Sequence, residues 1–208
     1  MPKLFKDILF DYNQFKTELT EFETFLNLKK ELSEQKDIQP FFKARPLLSS
    51  QIATAIASIS LPNKIAFEYN IFGDFGCDLA IGNTENNTYC FIEFEDARKN
   101  SLFKEEVKYK SSFGQRLEHG YSQIIDWFCK IEAQSTREIN DRFGVNEIDY
   151  YGILIIGRNC YLESSLRHRL DWRSKNLELI TKKINIVTFD DLLEMLQSKL
   201  HTIDMYRK

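Results

Sequence analysis

An α/β fold, with a mixed central β-sheet flanked by helices, is predicted by three observations. Apolar residues recur at helical spacing in the first third of the chain. The period then shortens to that of strands from Lys64 onward, and further on helical stretches alternate with two continuous apolar runs. Runs apolar throughout belong at the centre of a sheet, covered on both faces. The 208 residues, 43% of them hydrophobic, suffice for one full core. The expected division is an N-terminal helical arm over 1–45 and an α/β core over 46–208.

Each element follows from its local pattern. Phe15, Leu19, Phe22 and Leu26 form one stripe of an amphipathic helix within about residues 11 to 35. Pro40 and Pro46 in "DIQPFFKARPLL" turn the chain, leaving room only for short helical pieces. "LLSSQIATAIASI" reads as a second helix, with Ser49 or Ser50 as its cap. "KIAFEYNIF", "CDLAIG" and "TYCFIEFE" predict a three-stranded meander, joined by Gly-Asp and Asn-rich turns. Lys99 to Ser112 is polar, and "QRLEHGYSQIIDWFCKIEAQ" is helical despite Gly120. "YYGILIIGRN" and "INIVTF" are the two buried strands. Helices over "LESSLRHRLDWRSKN" and "DDLLEMLQSKL" follow them, the last capped by Thr188 or Asp190.

Composition excludes several classes. The N-terminus, "MPKLFKDILFDYNQF", lacks the apolar stretch of a signal peptide or anchor, so a cytoplasmic protein without membrane contact is expected. Cys77, Cys90, Cys129 and Cys160 have neither zinc nor disulfide-framework spacing. A net charge of −3 is no footprint of indiscriminate nucleic-acid coating. It leaves room for a local basic groove, for which Arg98 to Arg116 and Arg167 to Lys183 are the candidates. "GDFG" (Gly73 to Gly76) carries a kinase-like tripeptide without a glycine-rich loop, strand lysine or catalytic loop, and is read as a turn.

The chemistry concentrates in "FGCDLAIGNTENNTYCFIEFEDARKN". Strand alternation puts Tyr89, Phe91, Glu93 and Glu95 on one face and Cys90, Ile92 and Phe94 on the other. Antiparallel pairing across a turn near Asn86 would bring Asp78 beside this end of the third strand. Carboxylates converging in this way repel one another unless a cation neutralises them, and hard oxygen donors suit Mg²⁺ or Mn²⁺. The alternative is that Glu95 and Asp96 merely solvate a strand end.

An Asp, a strand, a turn, and a second strand closing on Glu-x-(Lys or Glu) resemble the PD-(D/E)xK nuclease superfamily. The ordered segments "GCDLAIGN", "YCFIEFEDARKNSLF", "LEHGYSQIIDWF", "YYGILIIGRNCYL", "HRLDWRSKNLELI" and "INIVTFDDLLEML" are similar to one branch. That branch is the C-terminal nuclease domain of the Shedu family of bacterial anti-phage proteins, and the resemblance runs from about residue 31 to the end. It implies a restriction-endonuclease-like fold and a Mg²⁺- or Mn²⁺-dependent endonuclease acting on DNA. Asp78 and Glu93 are the implied metal ligands, helped by the main-chain oxygen of Phe94. Gln123 is the implied orienting residue, on a helix where His119, Gln123 and Trp127 fall four apart. Glu34 is the match to a first acidic position, and Glu68 is a further acid or an outward side chain. Glu95 stands where lysine is usual, so it is a general base, a second ligand, or the mark of lost catalysis. In the last case the domain is an inactive binding module. Alternatively, Lys99, Lys104 or Lys108 supplies the missing positive charge. Arg98, Lys108, Lys110 and Arg116 are the expected nucleic-acid contacts. Control by a partner or by homo-oligomerisation is expected as well.

Overall fold

The computed structural model describes residues 4–57, 59–73, 75–104, 111–176, 178–179 and 182–207. A short strand β1 (Lys6–Asp7) precedes helix α1 (Tyr12–Leu28), whose N-cap Asp11 accepts a hydrogen bond from the Gln14 amide. A single π-helical turn (Glu34–Ile38) leads into α2 (Gln39–Lys43) and then α3 (Pro46–Ile56). The meander is β2 (Lys64–Phe72), β3 (Phe75–Asn83) and β4 (Thr88–Phe94). A small two-stranded pair, β5 (Phe103–Lys104) and β6 (Ser112–Phe113), follows. Next come α4 (Gln115–Glu132), α5 (Thr136–Phe143), β7 (Asp149–Ile155) and α6 (Ser164–Asn176). The chain closes with β8 (Glu178–Leu179), β9 (Lys182–Val187) and α7 (Phe189–Tyr206).

The main sheet runs β1-β2-β3-β4-β7-β9-β8. Strands β1 to β4 pair antiparallel, β4-β7 and β7-β9 pair parallel, and β8 returns antiparallel to β9. This is the mixed α/β architecture expected of the restriction-endonuclease-like class, with the apolar runs at its parallel centre. One face carries α1, α3 and α7, packing Phe15, Phe22, Leu48 and Leu192 onto Leu79, Ile92 and Ile153. The other face carries α4, whose Leu117, Ile124 and Trp127 cover Phe91 and Leu154. Trp127 is core, 1% exposed. Alternation on β4 is as expected, since Tyr89 and Phe91 join the α4-side core and Cys90, Ile92 and Phe94 join the opposite one.

Several boundaries differ from expectation for identifiable reasons. Helix α3 starts at Pro46, because proline's fixed φ suits a first helical position. Ser49 and Ser50 therefore lie inside it, bonded back to main-chain oxygens (Phe42 and Arg45 for Ser49, Leu47 for Ser50) rather than capping. The helix begun at Tyr12 stops at Leu28, and Leu32 then bridges to Ala97 like a strand. Of the two proposed caps for α7, Thr188 serves, in a capping box with Asp191. The two-residue strands were too short to register as a period, and α5 was hidden by its polarity. No helix among the described residues is long and apolar enough to cross a membrane.

Candidate active site

The β3–β4 register makes Leu79 the partner of Ile92, so the next step along the pair sets Asp78 opposite Glu93. Asp78 Oδ2 accepts a hydrogen bond from the Phe94 amide at 2.9 Å. Its Oδ1 accepts one from Gln39 Nε2 at 2.7 Å, and the same amide reaches Glu34 Oε1 at 3.2 Å. The π-helical turn before α2 is thereby tied to the strand pair, and the Glu34 amide donates to Asp96 Oδ1 at 2.8 Å. An open cleft of about 400 Å³ results, with Glu34, Glu68, Asn70, Asp78, Glu93 and Gln123 in its walls.

Opposite Asp78 on the other side, β2 is distorted. Glu68 has φ of +50°, a left-handed conformation that costs a non-glycine residue roughly 1 kcal/mol or more. The strand alternation slips a step there. Ala66 and Tyr69, three residues apart, both enter the α4-side core, as do Cys77 and Ala80 on β3. Strained backbone beside a carboxylate cluster suits a functional site better than a structural one. Lys43 Nζ meets Glu68 Oε1 at 2.5 Å, which holds the distorted residue to α2.

The electrostatics follow from burial. Glu93 is 7% exposed. Burial first, then the charges of Asp78, Glu95 and Glu34, push its carboxyl far above the usual range. Asp78 is raised too, by burial and then by Glu34 and Glu95, although the Phe94 amide and Lys43 pull the other way. Burial and the nearby Glu95 raise Glu34 against the pull of Arg116. The cleft therefore gathers carboxyls that the protein does not fully pair with cations, and in the metal-free protein their ionisation is disfavoured.

Glu95 and Asp96 lie just beyond β4 and face a different environment. Glu95 is 1% exposed. His119 Nδ1 lies 2.9 Å from its Oε1, and Arg116 NH1 lies 3.3 Å from its Oε2. Arg116 also reaches Glu34 Oε2 at 3.6 Å and Asp96 Oδ2 at 3.8 Å, while Arg98 Nε meets Asp96 Oδ2 at 3.5 Å. Helix α4 comes this close because of Gly120, where a Cβ would stand 2.6 Å from Leu154 Cδ1 and 3.1 Å from Glu95 Cγ. The glycine that weakens α4 as a helix is what lets it dock.

The sequence-derived candidates thus fall into groups. Asp78, Glu93, Gln123, Glu34 and Glu68 share the cleft, and Phe94 binds Asp78 through its amide. Glu95, Arg98 and Arg116 form the adjoining charged rim. Lys99 lines a separate hollow with Cys160, His168 and Arg169, and Lys104 lies exposed on β5. Lys108 and Lys110 lie outside the described residues. Sequence reasoning gave no role to Gln39, Lys43 or His119. The four-residue step from His119 to Gln123 was a usable signal, but nothing local marks Gln39 as a neighbour of Asp78.

Among the described residues, no three His, Cys, Asp or Glu side chains form a ready-made cation cage. The donor set still fits a hard divalent ion bound by two carboxylates and water. Asp78 and Glu93 face each other with raised pKa values. Gln123 Oε1, in the same cleft, is buried without a hydrogen-bond partner among the described residues. An unsatisfied oxygen beside under-neutralised carboxylates is what a site for a hydrated cation would leave.

A family model described as Shedu protein SduA, C-terminal, matches residues 31–193. No curated protein matches the chain.

Proposed function

We propose that the chain, which belongs to the Shedu SduA C-terminal family and so to a family with a role in defence, is a metal-dependent endonuclease acting on DNA. The observation that carries this reading is the opposition of Asp78 and Glu93 across β3 and β4, in a cleft that also holds the Gln123 oxygen, unpartnered among the described residues. Asp78 and Glu93, with the Phe94 main-chain oxygen, would hold Mg²⁺ or Mn²⁺. A bound ion of this kind lowers the pKa of a water and offsets charge on phosphate oxygens.

The chain's own residues do the positioning. The Phe94 amide and Gln39 fix both oxygens of Asp78, so the carboxylate enters the cleft in one orientation. Gln123, whose amide lies in the same cleft, would orient the site. Glu34, cross-linked to Asp78 through Gln39, extends the negative rim. Binding without cutting is the second reading, favoured by the carboxylate of Glu95 where lysine is usual.

Cleavage of plasmid DNA in Mg²⁺ or Mn²⁺ by wild type, Asp78→Ala and Glu93→Ala separates the two. Loss of about a thousandfold or more in both variants is expected, since each removes a charge the site is built to hold. Cutting that survives both substitutions rules out this site. DNA bound but uncut by wild type favours the second reading. Light scattering at several concentrations tests self-association.

A further inference from the structure

We propose that Arg116, from helix α4, supplies the cleft with the cation that a lysine at position 95 would supply, and that Glu95 is its anchor. The inference rests on the endonuclease reading and deepens it. Glu95 is buried, with one carboxylate oxygen against His119 and the other against Arg116. Unlike Asp78, whose oxygens meet uncharged amides, Glu95 already has a cation against it, which opposes binding of a metal ion at the same carboxylate. It is well placed to hold a guanidinium.

Arg116 is placed to use that anchor. Its side chain is 51% exposed, and its contacts are long, NH1 at 3.3 Å from Glu95 and 3.6 Å from Glu34 and NH2 at 3.8 Å from Asp96, so a phosphate oxygen reaching the guanidinium can compete with them. Arginine is charged at every relevant pH and pairs with two phosphate oxygens at once. Gly120 brings α4 close enough for the swap. Lys43, a further cation near Asp78, sits on α2 with its ammonium against Glu68. Sequence reading placed the missing charge on nearby lysines because they are close along the chain. The structure brings it from the next helix, 21 residues on.

In phosphodiester hydrolysis a water oxygen bonds to phosphorus as the bond to the leaving oxygen breaks. One water proton passes to the leaving oxygen and the other stays with the new phosphate monoester. Charge gathers meanwhile on the non-bridging oxygens and the leaving group, and Arg116 would oppose it.

The test uses the full chain, supercoiled plasmid with Mn²⁺, and four proteins: wild type, Arg116→Gln, Glu95→Lys with Arg116→Gln, and Arg116→Lys. Arg116→Gln is expected to cut about 100-fold more slowly, and Arg116→Lys to retain part of the rate. Returning lysine to position 95 in the double variant is expected to restore at least about tenfold over Arg116→Gln. Calorimetric titration with Mn²⁺ alone supplies the second readout. Removing a cation beside the site should leave Mn²⁺ affinity unchanged or tighter, whereas a merely structural role would weaken it. Arg116→Gln cutting at the wild-type rate, a double variant without recovery, or Mn²⁺ affinity lost together with the rate would each overturn the assignment and leave the endonuclease reading standing. Wild type that binds Mn²⁺ and cuts nothing would overturn both.

Discussion

Beyond the ends of β7 and β9, Arg158 donates from Nε to both oxygens of Asp190, at 3.1 and 3.0 Å, and from NH1 to the Lys29 carbonyl at 2.8 Å. The Asn159 amide adds a bond to Asp190 at 2.7 Å, and Asp191 accepts from Asn159 Nδ2 and Arg167 NH1. One step along the same rim, where the Gly157 amide donates to the Asp96 carbonyl, lies the carboxylate group of Asp78, Glu93, Glu95 and Glu34. Both clusters are mostly buried and both close the ends of central strands. In the first, donors and acceptors match, and the network fastens α1 and α7 to the sheet. In the second, among the described residues, carboxylates exceed cations and an amide oxygen is left over. Matched buried charge holds a fold together, while unmatched buried charge costs stability and persists where a ligand supplies the balance.

The largest contrast should come from removing one member of each cluster. Arg158→Ala strands Asp190 beside a nearly buried site and is expected to cost about 3 kcal/mol in urea unfolding. Glu93→Gln removes a charge that the metal-free protein tolerates poorly, so metal-free stability should hold or rise by up to about 1 kcal/mol, while Mn²⁺ binding is lost. Equal losses in the two variants would end the distinction between them.

The contact between α4 and the unmatched cluster offers a smaller effect. Gly120→Ala gains up to about 1 kcal/mol of helix propensity. It also drives a methyl against buried Leu154 and toward Glu95, at a cost of about 1–3 kcal/mol. A net loss of about 1–2 kcal/mol is expected in thermal or urea unfolding, together with slower plasmid cutting as α4 shifts. A neutral or stabilised variant with intact cutting would mean that the close approach of α4 is not needed.

Much of this was legible in the sequence. Alternation in "TYCFIEF" assigned faces correctly, because a strand buried on both sides shows every apolar position. That Asp78 lies beside the carboxylate end of β4 followed from a hairpin turning near Asn86, while its opposition to Glu93 needed the register that the structure supplies. What stayed hidden depends on through-space packing. Gln39 meets Asp78 across 39 residues, and Arg116 and His119 meet Glu95 only because a glycine lets two elements touch. The left-handed turn at Glu68 had no signal at all, since glutamate is not a residue that marks such positions. A polar strand end reads the same in sequence whether it is solvated or converges on a site.

The pH dependence of stability should carry opposite signs in the two clusters, and this is the finest test of the comparison. In Asp78 and Glu93 burial leads the shift and the folded-state pKa is raised, so the folded protein binds more protons than the unfolded chain above the ordinary carboxylate range. The stability they contribute is fully present at acid pH and is lost as pH rises through the raised values. For Asp191 burial pulls upward, but hydrogen bonds from Asn159, Arg167 and Thr188 outweigh it and hold the carboxyl below its usual value. Its contribution is present above the usual carboxylate range and is lost as pH falls through the lowered value. Urea midpoints in the presence of a chelator should therefore decline from about pH 5 to pH 8, by at most about 1.4 kcal/mol per pH unit for each group titrating. Glu93→Gln should flatten that decline, and Asp191→Asn should leave it unchanged while altering the loss below about pH 4. Millimolar Mn²⁺ should also flatten it, because a bound cation favours the deprotonated pair. A decline that persists unchanged in Glu93→Gln would place the excess charge elsewhere on the molecule.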